Sequence, residues 1–156
     1  MTRQFKFIKN NGYSIASSLI VAGGIVLATV FGSITDSALQ RCRATADVNN
    51  AESLSKVITK RLNEGRINNC ELPSGTAIEL RDDNSLAFIG YKAPRAGLNK
   101  GESFYVVNDS LRSGRVIVTV GNSSQKLDSD AISKGQIYPS VNNEDYKGYV
   151  NSSIIQ

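Results

Sequence analysis

The chain carries no charged side chain from Asn10 to Thr35, and this run limits what the chain can fold into. Within it, the 20 residues from Ile15 to Ile34 would span about 30 Å as a helix, which matches the hydrocarbon core of a bilayer. The apolar core of an export signal is shorter, about 7–15 residues, and ends at a cleavage site of the A-x-A type. No A-x-A triplet comes directly after this run. The sequence therefore predicts a membrane-spanning helix.

The charges on either side of the run predict its orientation. Residues 1–12 carry a net charge of +3, whereas residues 66–156 carry ten basic and ten acidic side chains. Positive charge marks the cytoplasmic side of a membrane helix, so the body is expected on the outer side. Because the basic excess lies ahead of the apolar run and not on the body, nucleic acid is not an expected partner.

The composition argues against an enzyme. Histidine is absent, which excludes Ser-His-Asp and Cys-His nucleophilic sites and every histidine-based metal site. Two cysteines do not make a zinc site, and no glycine-rich phosphate loop is present. The close carboxylates are interpreted as turns or solvated edges: Asp82 with Asp83, Asp128 with Asp130, and Glu144 with Asp145. We expect no catalytic residue, no metal and no cofactor.

Small residues recur within the apolar run. Gly24, Ala28 and Gly32 are spaced by four, so they share one face of a helix. Such residues let a second helix approach closely in lipid. The alternative is the ordinary scatter of glycine and alanine in a bilayer helix.

Helical periodicity continues beyond the apolar run. Charged residues alternate with a stripe formed by Leu39, Cys42, Ala46, Leu54, Ile58 and Leu62. Gly65 is a typical helix stop. The sequence predicts a helix from about Tyr13 to about Glu64, with a transmembrane half over residues 13–35 and an amphipathic segment over residues 36–65.

Two cysteines test whether that helix is continuous. Cys42 and Cys70 would lie in an oxidising compartment, where two cysteines usually pair, and a disulfide needs alpha carbons within about 7 Å. An unbroken helix to Gly65 carries the chain about 35 Å, and five residues return at most about 17 Å. Asn49-Asn50 with Glu52 resembles a capping box, which leaves open a break there and a disulfide. Intermolecular pairing and free thiols are also compatible with the sequence.

Residues 66–156 predict a small antiparallel sheet. Four runs are rich in β-branched and aromatic residues and are separated by turn signals: "TAIELRD", "LAFIGYK", "SFYVVND" and "GRVIVTVG". "QIYPSV" and "YVNSSII" are candidate edge strands. The predicted fold class is α+β, with a long N-terminal helix packed on this β-rich head.

The first half of the chain resembles type IV pilins and type II secretion pseudopilins. A basic leader, residues 1–12, ends at Gly12, Tyr13-Ser14 follows, and an apolar helix becomes amphipathic over "RATADVNNAESLSKVITKRLNEGRI". The resemblance implies cleavage between Gly12 and Tyr13 by a prepilin peptidase and methylation of the new amino terminus at Tyr13. It also implies that the helices then pack together in a filament core, where Ser17, Gly24, Ala28 and Gly32 would lie.

Ser17 departs from the family pattern. Most members have a glutamate at the fifth position of the mature chain, which offsets a buried amino terminus in the filament core. A buried unpaired ammonium is costly, and Ser17 offers a hydrogen bond without charge. Members without the glutamate tend to be minor or tip subunits, so the resemblance implies a minor pilin or pseudopilin.

The resemblance also implies a location and partners. The protein would sit in the bacterial inner membrane with a periplasmic body, and then enter a pilus or periplasmic filament with other subunits. The alternative is a membrane-anchored periplasmic binding or accessory domain that does not polymerise and keeps its leader.

Overall fold

A computed structural model describes residues 36–68, 70–109 and 115–150 of the chain. The predicted leader and the apolar run lie outside the described residues, as do all the predicted processing and packing positions: Gly12, Tyr13, Ser17, Gly24, Ala28 and Gly32. The chain divides into two units, Met1–Leu39 and Gln40–Gln156. Among the described residues, no helix has both the length and the apolar character needed to cross a bilayer.

Helix α1, residues 36–63, is continuous. The break left open near Asn49-Asn50 is therefore absent. The helix ends in a Schellman motif: the amide of Gly65 donates to the Leu62 carbonyl at 3.0 Å, and that of Arg66 to the Arg61 carbonyl at 2.9 Å. Gly65 has a φ of +68°, which glycine adopts without steric cost. The predicted stop at Gly65 is confirmed.

The buried face of α1 differs from the predicted stripe. Leu54 and Ile58 are buried as expected, but Leu39, Cys42 and Ala46 are exposed. The core is instead contacted by Ala44, Val48 and Ala51, together with Leu54 and Ile58. A repeat of four residues turns about 40° per step around a helix with 3.6 residues per turn. Cys42 and Ile58 are thus about 160° apart around the axis, so they cannot both face the sheet.

Four antiparallel strands form one sheet in the order β1-β2-β3-β4. They are β1 (Ala77–Glu79), β2 (Glu102–Asn108), β3 (Val116–Asn122) and β4 (Gln136–Tyr138). The prediction of an α+β fold with an antiparallel sheet is confirmed. Of the candidate strand "YVNSSII", only Tyr149 and Val150 are described, and neither is in a strand.

Helix α1 covers one face of this sheet. Leu54 and Ile58 lie in the same buried cluster as Phe104 of β2 and Val118 of β3. A direct hydrogen bond adds to this packing, because the Ser55 hydroxyl donates to the Val116 carbonyl at 2.7 Å. The amphipathic segment therefore packs on the sheet as the sequence predicted.

The second predicted strand, "LAFIGYK", is wrong. Its residues form a short helix, α2 (Ser85–Ile89), which buries Ser85, Phe88 and Ile89 at helical spacing. Gly90 closes the helix with a φ of 82°, and its amide donates to the Leu86 carbonyl at 3.0 Å. The β-branched and aromatic content suggested a strand, but a glycine in the left-handed region favours the end of a helix.

Two more short helices follow the third strand. Helix α3 (Ser129–Gly135) is capped by the Asp128 carboxylate, which accepts from the Ala131 amide at 2.8 Å. Helix α4 (Glu144–Lys147) is capped by Asn143, whose side chain accepts from the Asp145 amide at 2.9 Å. Two of the close carboxylate pairs, Asp128 with Asp130 and Glu144 with Asp145, thus lie at helix amino termini, where negative charge is favourable.

Cys42 and Cys70 are exposed, free thiols, so the candidate disulfide is not formed. The continuous helix explains this. From Cys42 to Arg61 the helix rises about 29 Å, and the chain turns back at Arg66. The four residues from Arg66 to Cys70 reach at most about 14 Å. The two alpha carbons therefore stay much further apart than a disulfide allows.

Candidate functional site

A buried carboxylate joins α1 to the loop that precedes β2. Asp47 is 2% exposed, and its carboxylate accepts from the amides of Gly97, at 2.8 and 2.9 Å, and Leu98, at 2.9 Å. The Tyr146 hydroxyl of α4 donates to the same group at 2.9 Å. A buried charge is costly unless hydrogen bonds satisfy it, and these three donors do so. We call residues 91–101 the entry loop; Asp47 fixes its middle.

Glycine at position 97 favours the close approach of Asp47 to the entry loop. A β-carbon there would lie 3.3 Å from Asp47 Oδ1, which is tighter than an ordinary contact. Without that carbon, the carboxylate reaches two successive amides. On its other side, burial and the negative charge of Asp47 raise the pKa of Tyr146, so the phenol keeps the proton that it donates.

A second carboxylate, Glu79 of β1, holds a nearby turn and an arginine. Its oxygens accept from the Ser123 hydroxyl at 2.6 Å and the Ser124 amide at 2.9 Å. Arg81 contacts Glu79 Oε2 through Nε at 2.7 Å and Nη2 at 2.6 Å. Burial by itself would raise the pKa of Glu79, but the hydrogen bonds outweigh it and lower that pKa to about 2.

Acid should destabilise the protein through Glu79. Its folded pKa of about 2 lies below the ordinary value of 4.5, so the folded state binds fewer protons between these values. The stability that Glu79 contributes is complete above about pH 4.5 and is lost as the pH falls toward about 2. In urea unfolding, we expect Glu79→Gln to be less stable than wild type near neutral pH, with a smaller difference at about pH 3.

The control for this experiment is Glu144→Gln, which removes a carboxylate whose side chain is 83% exposed. Its stability should stay within about 0.5 kcal/mol of the wild type across the same pH range. A constant stability difference between Glu79→Gln and wild type at every pH would contradict the role assigned to the Glu79 carboxylate.

A groove of about 510 Å³ lies beside Glu79. Its walls are the end of β1, the entry loop, the start of β2 and the turn at Ser123. Three basic side chains line it, Arg81, Arg95 and Lys100, and we call it the basic groove. Within the described part of the chain, Arg95 and Lys100 form no ion pair, and both are exposed.

The two buried carboxylates position the basic groups of this groove. Glu79 fixes the guanidinium of Arg81 from one side. Asp47 holds Gly97 and Leu98, which lie between Arg95 and Lys100 in the entry loop. The loop backbone that carries Arg95 and Lys100 is therefore held in place, although both side chains are exposed to solvent.

Three acidic side chains, Glu79, Asp82 and Glu102, line the same groove. Glu102, the first residue of β2, lines the groove, and its Oε1 accepts from the Asn99 side chain at 3.3 Å. Its Oε2 is buried and has no hydrogen-bond partner among the described residues. Burial raises the pKa of Glu102, the Asn99 hydrogen bond opposes this, and the charges of Asp145 and Asp47 add to the rise. This oxygen is closed off from solvent, so it is not a contact point of the groove surface.

The basic groove was missed by sequence reasoning. The segment "APRAGLNKGE" predicted only a turn, although it contains both Arg95 and Lys100. The sequence signal for this groove was a pair of basic residues on either side of a glycine. That pattern by itself is weak evidence for a binding site. Of the predicted site residues, the structure describes only Cys42 and Cys70, and it does not bring them together. No three potential metal ligands of the described ranges are arranged to hold an ion.

No protein-family model, curated protein or solved structure matches this chain. Its function is therefore inferred from the residue pattern and from the geometry given above.

Proposed function

We propose that this chain is a structural subunit, a minor pilin or pseudopilin, of a type IV pilus or a type II secretion filament. After removal of residues 1–12, the apolar run from Ile15 to Ile34 would carry the subunit from the inner membrane into the filament. The role is physical and not catalytic, and the partners are other subunits, a prepilin peptidase and the membrane.

One observation carries the proposal: α1 follows directly from the apolar run and uses only one face to hold the sheet. Ala44, Val48 and Leu54 are buried on that face. Cys42 and Ala46 are small, weakly polar and exposed. A face of this kind leaves room for helices of neighbouring subunits. The Gly24, Ala28 and Gly32 repeat offers similar small side chains within the apolar run.

The intact mass of the membrane-extracted protein tests the proposal. We expect a chain that begins at Tyr13 and carries one added methyl group. Substituting Gly12 with leucine should leave the leader attached, because the peptidase would no longer recognise the residue before the cleaved bond. Asn10→Ala, which changes the leader but keeps Gly12, should be processed normally. A wild-type protein that retains residues 1–12 would refute the proposal.

A second function has one observation in its favour. The basic groove, with Arg95 and Lys100 unpaired in the described part of the chain, suits a membrane-anchored binding domain. Such a protein would keep its leader and would not co-purify with filaments. The mass measurement therefore separates the two functions, since only the filament subunit loses residues 1–12.

A further inference from the structure

We propose that Glu102 controls how firmly α4 is attached to the head: protonated Glu102 permits the attachment, and ionised Glu102 loosens it as the pH rises. We call this arrangement the α4 latch. It does not depend on whether the chain polymerises. Three features carry the inference: a carboxylate oxygen that is closed to solvent, two further carboxylates beside it, and a side-chain amide that joins β2 to α4.

The carboxylate of Glu102 is poorly placed to hold a negative charge. Its Oε2 is buried and has no hydrogen-bond partner among the described residues. Its Oε1 accepts from the Asn99 side chain at 3.3 Å, which is long for a hydrogen bond. An ionised oxygen that neither water nor a donor contacts is costly, and protonation removes that charge.

Two other carboxylates lie close to Glu102. The side-chain nitrogen of Asn99 is 3.3 Å from Glu102 Oε1 and 3.1 Å from Asp145 Oδ2, so these two oxygens can be no further apart than the sum of the two distances. Asp47 of α1 accepts from the amide of Leu98, directly before Asn99. Burial raises the pKa of Glu102, and the charges of Asp145 and Asp47 raise it further, against the opposing effect of the Asn99 hydrogen bond.

The other charged side chains nearby do not neutralise Glu102. On α4, Glu144 and Lys147 pair with each other at 2.6 Å, and Arg43 of α1 is exposed beside the entry loop. On β3, the residue opposite Glu102 is the neutral Asn122. No basic side chain of the described residues forms an ion pair with Glu102. The charged side chains that line the groove together with Glu102 are Glu79, Arg81, Asp82, Arg95 and Lys100.

Helix α4 is attached to the head through two neighbouring residues. The Tyr146 hydroxyl donates to Asp47 at 2.9 Å, and Asp145 accepts from Asn99. With only four residues, Glu144–Lys147, the helix has little stability of its own and depends on such contacts. Because ionised Glu102 repels the carboxylates at both attachment points, its ionisation weakens the hold on α4.

The pH range of the latch follows from the direction of the pKa shift. The folded pKa of Glu102 lies above its ordinary value of 4.5, so between these values the folded state binds more protons than the unfolded state. The stability associated with protonated Glu102 is therefore complete below about pH 4.5 and is lost as the pH rises through the folded pKa. Glu79 acts in the opposite direction and below pH 4.5, so the two effects do not overlap.

Hydrogen exchange of the full-length protein in detergent, measured at about pH 4.5 and about pH 8, tests the latch. The amides of Tyr146 and Lys147 both donate to the Asn143 carbonyl at 3.1 Å. Their protection factors, which are corrected for the intrinsic pH dependence of exchange, should be at least about threefold lower at the higher pH. The Ile132 amide of α3, which donates to the Asp128 carbonyl, should keep its protection, because only α4 is loosened.

Two variants complete the test. Glu102→Gln removes the titrating group and keeps its shape, so the protection of α4 should no longer fall with pH. A constant cost of burying the amide cancels, because the change between the two pH values is what is compared. The control, Glu144→Gln, removes an exposed carboxylate of α4 and should show the same fall as wild type.

Three results would overturn the latch. The first is equal protection of α4 at both pH values in the wild type. The second is a fall in protection that persists unchanged in Glu102→Gln. The third is an equal fall at Ile132, since pH would then act on the whole fold and not on α4.

Discussion

Replacing Asp47 with alanine is expected to destabilise the folded protein by about 3–5 kcal/mol. Among the described residues, the change removes the only side chain that accepts from the Gly97 and Leu98 amides and the Tyr146 hydroxyl. Each buried donor left without a partner costs about 1–3 kcal/mol. Small domains are stable by only about 5–15 kcal/mol, so the loss is a large share of the total.

Urea unfolding of the detergent-solubilised protein, followed by circular dichroism, measures this effect. Glu52→Ala is the matched control, because it removes a partly exposed carboxylate of the same helix, whose partner among the described residues is Lys56, and should cost less than about 0.5 kcal/mol. Tyr146→Phe should lie between the two, with a loss of about 1 kcal/mol, since Asp47 keeps its two backbone donors. If Asp47→Ala were as stable as Glu52→Ala, the hydrogen bonds that Asp47 accepts would contribute nothing to the free energy of unfolding.

Two leucine substitutions on α1 should differ by several kcal/mol. Leu54 is fully buried against the sheet, whereas Leu39 is 46% exposed. Leu54→Ala should cost about 2–5 kcal/mol, because it removes buried apolar area and leaves a cavity. Leu39→Ala, the same chemical change on the same helix, should cost less than about 0.5 kcal/mol.

The same unfolding measurement distinguishes the observed face of α1 from the stripe that the sequence predicted. In that stripe, Leu39 and Leu54 are both core residues, and both substitutions would be equally damaging. Equal losses would therefore contradict the observed packing. A large loss at Leu54 alone would support it.

The elements that the sequence predicted correctly are those with strong local signals. Gly65 ends α1 because the left-handed conformation at a helix end is a local preference of glycine. Strands β2 and β3 were predicted from dense β-branched and aromatic runs between turn residues. The helix α2 was mistaken for a strand because its five residues are too few to show a clear helical period.

The candidate site could not be predicted, because its parts are far apart in the sequence. Asp47 meets Gly97 across 50 residues, and Glu79 meets Ser123 across 44. No spacing rule connects such residues. In the sequence, Asp47 is one charge among several on an amphipathic helix, and only its burial distinguishes it.

The sequence by itself determined the uncharged run from Asn10 to Thr35, the basic residues before it, the amphipathic character of α1 and the antiparallel nature of the sheet. These follow from composition and periodicity, which act over a few turns or strands. Only the tertiary structure decided which face of α1 is buried, that α1 is continuous past Asn49-Asn50, and that Arg81, Arg95 and Lys100 share a groove. Those outcomes depend on long-range contacts, in which the sheet selects one helix face and buried carboxylates hold distant loops.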